Sequence, residues 1–171
     1  GLVDADVGRL HYDYVAFVGN KGEDISDSYG HARNRCDLRT GGLAVFVGAG
    51  GPMGQMHVQR AIEKKDGPST VIVTDINGQR LSEIKQRFAP LTEANNCRLL
   101  TFNPMEHKDT LPEFVKAQSQ GQGADDVVVC VPNANIMAES ASFMKPDGML
   151  VLFAGVPNGT LAPVDFSSVY L

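Results

Sequence analysis

The stretch Leu43–Gly54, LAVFVGAGGPMG, constrains the fold more than any other part of the chain. Leu43-Ala44-Val45-Phe46-Val47 is a continuous apolar run, the pattern of a parallel strand buried on both faces. Gly48, Gly50, Gly51 and Gly54 then make a glycine-rich turn. Pro52 stands where a first helical residue has no use for its N–H. A helical pattern continues through Met53, Met56, Val58, Ala61 and Ile62. A strand, a glycine-rich turn and a helix in that order bring backbone N–H groups toward an anion, and the positive end of the helix dipole favours its charge.

A second apolar run, Thr70-Val71-Ile72-Val73-Thr74, ends at Asp75, about twenty residues beyond the turn. In a Rossmann fold that position carries the carboxylate that accepts hydrogen bonds from the adenosine ribose. Strand, turn, helix, strand and acid together point to a dinucleotide. The alternative is a tight βα turn with a solvated acid at a strand end. The loop departs from the minimal pattern. Counted from Gly48, G-x-G-x-x-G fails at its sixth position, Met53; counted from Ala49, the last two glycines fit and the first position is Ala. The loop reads as one residue longer than the fingerprint.

A chain of 171 residues suffices for one sizeable core. Its net charge of -5 and lack of a basic cluster argue against nucleic acid. No apolar run is long enough to span a membrane, and no signal peptide is visible. Cys36, Cys97 and Cys130 are odd in number and far apart, which suits reduced, mostly buried thiols in a cytoplasmic protein. The histidines, His11, His31, His57 and His107, show no metal-ligand spacing. The chain opens at Gly1 without an initiator Met, as a piece of a longer protein would.

Further elements follow in order. Tyr14–Val18 reads as a strand stopped by Gly19-Asn20. Residues 23–38 carry acids early and arginines late, with Ile25, Tyr29, Ala32 and Cys36 spaced for one buried stripe; this predicts a helix. Asn77 caps a helix with Leu81, Ile84, Phe88 and Leu91 on one face. Arg98–Phe102 is a strand, and a helix near Pro112 buries Leu111, Phe114 and Val115. Asp126–Val131 is a strand stopped by Pro132-Asn133. A helix over Ala134–Met144 buries Ile136, Met137, Ala141 and Met144. After the turn Pro146-Asp147-Gly148, Met149–Ala154 is a strand, and the tail from Gly155 holds no clear long element.

Strands alternating with helices predict a doubly wound, mostly parallel α/β sheet with right-handed crossovers. Counting from Leu43–Val47 as strand one, the expected order is 3-2-1-4-5, with ligands at the carboxyl ends of the strands. Residues 41–171 are expected to form this Rossmann domain, and residues 1–40 a strand and helix packed on it.

Several motifs carry a family resemblance: Gly48-Ala49-Gly50-Gly51-Pro52-Met53-Gly54; Val73-Thr74-Asp75 with Arg80-Leu81; Gly123-Ala124-Asp125; and Pro146-Asp147-Gly148 leading into Phe153-Ala154-Gly155-Val156. Through them the chain from Gly42 onward resembles the cofactor domain of medium-chain, zinc-type alcohol and polyol dehydrogenases, nearest in type to sorbitol and sorbose or sorbose-phosphate dehydrogenases. The resemblance implies an NAD(P) cofactor, with NAD favoured over NADP because Asp75 repels a 2′-phosphate. It implies hydride exchange with a secondary alcohol or ketose. The implied cofactor-binding residues are Gly48, Gly50, Gly51, Pro52, Met53, Asp75, Ile76 and Arg80, with Val131 and Pro132 beside the ribose and Ala154 and Gly155 near the nicotinamide. Strand-edge pairing between domains, common in that family, makes a homodimer an expectation too. Nothing in the chain matches the family's zinc-bearing catalytic domain. No metal site and no catalytic residue are therefore expected here, and the chain by itself is expected to be inactive toward a sugar or polyol.

The segment Gly8–Gly19 resembles the family's last strand but comes first, so Tyr14–Val18 is a candidate edge strand beside strand five. The alternative is an ordinary leading strand or linker. His57 and His11 are weak catalytic candidates with no partner to place beside them; packing is the alternative. Cys130 reads as an inert core thiol, Asp125-Asp126 as the solvated start of a strand, and Arg80 as a helix-surface cation. Two other functions fit parts of the pattern: a non-catalytic NAD(H)-sensing module, and a methyltransferase, which also uses a glycine-rich turn and an acid after the second strand.

Overall fold

The computed structural model describes residues 1–30 and 35–167. Five parallel strands form the central sheet: β2 (Leu43–Val47), β3 (Thr70–Thr74), β4 (Arg98–Phe102), β5 (Ala124–Val129) and β6 (Met144–Leu152), ordered β4-β3-β2-β5-β6. This is the doubly wound order expected. All five residues of β2 are buried, as a central strand covered on both faces requires. Val45 pairs with Ile72 of β3 and with Val127 of β5, and all three are fully buried. Each such side chain contributes about 1.5–3 kcal/mol through burial.

The connecting helices are α2 (Pro52–Glu63), α3 (Gly78–Ala94), α4 (Leu111–Gln118) and α5 (Ala134–Ser140). Val58, Ala61 and Ile62 of α2 are buried, whereas Met53 and Met56 are exposed at its start. Asn77 caps α3 by accepting from the Arg80 N–H at 3.1 Å, and Leu81, Ile84 and Phe88 form its buried face. Thr110 and Glu113 close a capping box on α4. Helix α5 ends at Ser140 rather than running to Met144. A single 3-10 turn, Ala141–Phe143, leads straight into β6. Pro146-Asp147-Gly148 lies inside β6 as an irregularity: Ala124 pairs with Met144, but Asp126 pairs with Met149. Asp147 takes φ +66° there.

The N-terminal region departs from the sequence reading. The strand is β1 (Leu2–Asp6), and it pairs antiparallel with β7 (Leu161–Asp165) in a separate two-stranded sheet. Helix α1 (Val7–Tyr12) follows, capped by Asp6, whose side chain accepts from Arg9 N at 3.1 Å and from Gly159 N at 2.9 Å. Gly8 lies so close to Pro157 that an added Cβ would stand 2.3 Å from its carbonyl oxygen. Tyr14–Val18 forms no strand. Tyr14 adopts φ +55°, and the segment runs past β6 without joining its ladder. Val15 and Phe17 line a cavity of about 530 Å³ together with Met149 and Val151 of β6. The proposed sixth strand is therefore absent, and β6 is the sheet edge among the described residues.

Among the described residues of 23–38, the expected helix is also absent. Asp24 caps one 3-10 turn, Ile25–Tyr29, with its side chain accepting from Ser26 N at 2.9 Å. Ile25 and Tyr29 are 73% and 72% exposed rather than buried, and Cys36 is exposed. Ala32 lies outside the described residues. Part of the reason is electrostatic: Arg35 and Arg39 are drawn to acids at the amino end of β5.

Asp125 and Asp126 correct a further expectation, since both are buried. Asp126 pairs with the Arg35 guanidinium and accepts from Arg39 N at 2.7 Å. Asp125 accepts from Leu43 N at 2.8 Å and pairs with Arg39 and Lys145. Burial raises the Asp126 carboxyl above its ordinary value, and its bonds to Arg39 and Arg35 oppose that rise.

Candidate functional site

The turn between β2 and α2 folds around Gly48, whose φ is +69°. Only glycine enters that region without strain. A Cβ at Gly48 would lie 2.1 Å from Val131 Cγ1. Thr74 anchors the turn: its hydroxyl accepts from Gly48 N at 3.0 Å and its carbonyl from Ala49 N at 2.9 Å. Asp75 then ties the turn to the next loop. Its Oδ2 accepts from Gly50 N and its Oδ1 from Asn77 N, both at 2.9 Å. Gln55 adds a bond from Nε2 to Gly50 O at 2.9 Å. Gly54 packs on Ala49 so closely that a Cβ would sit 2.4 Å from its Cα.

Gly51 differs from its neighbours. It is the N-cap of α2, with no side-chain cap, and an added Cβ would meet nothing within 4 Å. The first N–H groups of a helix have no partner inside it, and Pro52 removes one of them. Among the described residues, those of Met53 and Gly54 therefore find no acceptor and remain available at the positive end of α2. Open space, free donors and a positive helix end fit an anion such as a dinucleotide pyrophosphate. Asp75 spends one lone pair on each oxygen, and each carboxylate oxygen has another, so ribose hydroxyls fit there as well.

The other predicted residues gather on the same rim, at the carboxyl ends of β2, β3, β5 and β6. Ile76 and Arg80 are exposed beside Asp75. Val131 packs under Gly48, with Pro132 exposed beyond it. Ala154 N donates to Val129 O at 3.0 Å. Gly155 lies against the N-terminal segment, where a Cβ would stand 2.6 Å from the Tyr12 hydroxyl and 3.1 Å from His11 Cδ2. His11 Nδ1 is 3.1 Å from Leu152 O. Residue patterns pointed to neither Tyr12 nor His11 as neighbours of Gly155, because 140 or more positions separate them in the chain. Thr74, Gln55 and Asn103 were also missed, although each stands next to or within an element ending at the rim.

The weaker candidates are packing groups. His57 meets Phe153 edge-on, with centroids 4.2 Å apart, and burial with nearby Arg60 lowers its pKa. Burial pushes the Cys130 thiol up to about 11, which keeps it protonated and unreactive. Cys97 is buried and its thiol is likewise raised. Among the described residues, no three His, Cys, Asp or Glu side chains come together as a metal site. No described helix is long and apolar enough to cross a membrane.

This fold and rim define a doubly wound α/β domain with a glycine-rich turn at the carboxyl end of its central strand. No protein-family model matches the chain. It is similar to L-sorbose 1-phosphate reductase of Klebsiella pneumoniae, 28% identical over 144 residues, covering 84% of this chain and 33% of that protein. It is also similar to mannitol-1-phosphate 5-dehydrogenase of Aliivibrio fischeri, 28% identical over 135 residues, covering 78% of this chain and 32% of that one. Among solved structures it resembles benzyl alcohol dehydrogenase from Acinetobacter calcoaceticus, with a TM-score of 0.61, 22% identity, and coverage of 80% and 33%. The chain spans about a third of the length of the curated relatives it matches. The resemblance read from the glycine turn, Asp75 and the last strand stands: the chain's relatives and fold neighbours are alcohol and polyol-type dehydrogenases and reductases.

Proposed function

We propose that this chain is the nicotinamide-dinucleotide-binding part of an oxidoreductase acting on a secondary alcohol or ketose of the polyol or sorbose type. One observation carries the reading: a Cβ on Gly51, the uncapped N-cap of α2, would meet nothing within 4 Å, one residue beyond the Gly50 N–H that Asp75 accepts from. When bound, the nicotinamide ring would supply or accept a hydride. The chain's own residues would bind and orient. Gly51, Met53 and Gly54 would hold the pyrophosphate through backbone N–H groups. Asp75 would accept from the ribose hydroxyls through its remaining lone pairs, with Ile76 and Arg80 at the adenosine edge. Val131 and Pro132 would flank the second ribose, and Ala154 and Gly155 the nicotinamide. The substrate-binding and proton-transfer groups belong, on this reading, to a catalytic part outside these 171 residues. Residues 41–171 would then be the nucleotide domain and residues 1–40 an extension packed on it.

Calorimetric titration of the chain with NADH and then NADPH tests this. Saturable NADH binding, with NADPH weaker, is the expected result. Binding of S-adenosylmethionine with neither nicotinamide nucleotide would reverse the reading in favour of methyl transfer.

A further inference from the structure

The turn after β4 delivers a carboxylate that neither the glycine motif nor Asp75 accounts for. Asn103 is buried beneath it. Its Nδ2 donates to Ile76 O at 3.3 Å, and its Oδ1 accepts from Met105 N at 3.0 Å. The Asn103 carbonyl accepts from Glu106 N at 3.1 Å and from His107 N at 3.0 Å. The His107 ring stacks on Phe102 with centroids 4.6 Å apart. The turn is thus pinned on one side to the loop after Asp75 and on the other to the core. Glu106 Oε1 comes to rest 2.9 Å from where a Cβ on Gly78 would be, at the first residue of α3. Glycine leaves room for that carboxylate, and the positive end of α3 favours its charge.

Asn103 ties the turn that carries Glu106 to the carbonyl of Ile76, the residue after Asp75, so a 2′-phosphate on a ribose held by Asp75 would face the side of the site that carries this carboxylate. The start of α3, three residues along the chain, is the adjoining surface, and Glu106 covers it. Arg80, two residues further on, is exposed and makes no ion pair among the described residues, so it pulls the other way. We propose that Glu106 is a specificity-determining residue of the nucleotide site: a second carboxylate, from a different element, that offsets Arg80 and rejects a 2′-phosphate. This inference rests on the dinucleotide reading above.

The test compares the chain with Glu106→Gln, titrating each with NADH and NADPH at low and raised salt. In the variant, NADPH binding should tighten roughly three- to ten-fold while NADH binding shifts by less than about two-fold. The gain should shrink as salt screens an exposed charge. Glu106→Lys should move the NADPH/NADH ratio further in the same direction, and Arg80→Gln should move it back. A ratio that Glu106→Gln and Glu106→Lys leave unchanged overturns the proposal and leaves the dinucleotide reading standing. A native chain that binds neither nucleotide overturns both.

Discussion

The two rims of the central sheet are built from different interactions. At the carboxyl rim the contacts are short-range and mostly neutral: Gly48, Ala49 and Gly50 donate to Thr74 and Asp75, and the Gly51 end of α2 is left open. At the amino rim, charges are buried and paired. Asp126 meets Arg35, and Asp125 meets Arg39 and Lys145, so that residues 35–42 are strapped across the start of β5 and β2. The first rim leaves the Met53 and Gly54 N–H groups without an acceptor among the described residues. The second pairs its buried carboxylates with cations of the chain itself. Free donors are useful only where a ligand can complete them, whereas a buried charge left unpaired destabilises the fold.

Breaking the amino rim should have the largest effect. Asp126→Ala would leave the Arg35 guanidinium, itself 15% exposed, without its partner. A loss of about 3–5 kcal/mol in urea-unfolding free energy is expected. Replacing both partners, Arg35→Met with Asp126→Leu, should recover most of it, because no uncompensated charge remains. Equal losses in the single and double variants would mean that the strap depends on packing rather than on the ion pair.

The carboxyl rim should separate stability from binding. Gly48→Ala meets both a positive φ and Val131, so it should cost about 1–3 kcal/mol and abolish nucleotide binding. Gly51→Ala meets nothing in the protein. Its effect on the unfolding free energy should stay below about 1 kcal/mol, while NADH affinity falls at least ten-fold, roughly 1.4 kcal/mol. Thermal melts paired with calorimetry distinguish the two. A Gly51→Ala chain that binds as well as the native one would remove Gly51 from the cradle.

The smallest effect is in pH. The Asp126 carboxyl is raised in the folded state above its ordinary 3.8. The folded chain therefore keeps a proton that the unfolded chain has already lost. That contribution is full below pH 3.8 and is lost as pH climbs through the folded pKa. The stability difference between the native chain and Asp126→Asn should accordingly fall as pH rises from about 4 toward neutrality. A difference that is flat across this range would mean that Arg35 and the Arg39 amide hold the carboxyl at its ordinary value.

The carboxyl rim was legible because its signals are local. A strand, a glycine turn and an acid at fixed spacing mark β2, α2 and Asp75 without reference to the rest of the chain. The amino rim was misread for the opposite reason. Asp125-Asp126 before a valine run looks like a solvated strand start, and nothing local says that Arg35 and Arg39, some ninety residues earlier, are the partners. Tyr14–Val18 has the composition of a strand, but a strand exists only where a ladder accepts it, and none of the described strands pairs with this segment. Leu2–Asp6, with Asp4 and Asp6 in it, does not stand out as an apolar run, and it became a strand because Leu161–Asp165 pairs with it residue for residue. In the same way, Glu106 and Tyr12 reach the rim only through the path of the folded chain.

Hydrophobic period and turn chemistry act over a few residues, so the order and type of the core elements, the glycine turn and the acid that closes it could be read from the residues alone. Which charges are buried, which edge stays open and which side chains from distant segments complete the rim emerged with the folded chain. Those outcomes depend on contacts between residues far apart in the chain, and no local pattern encodes them.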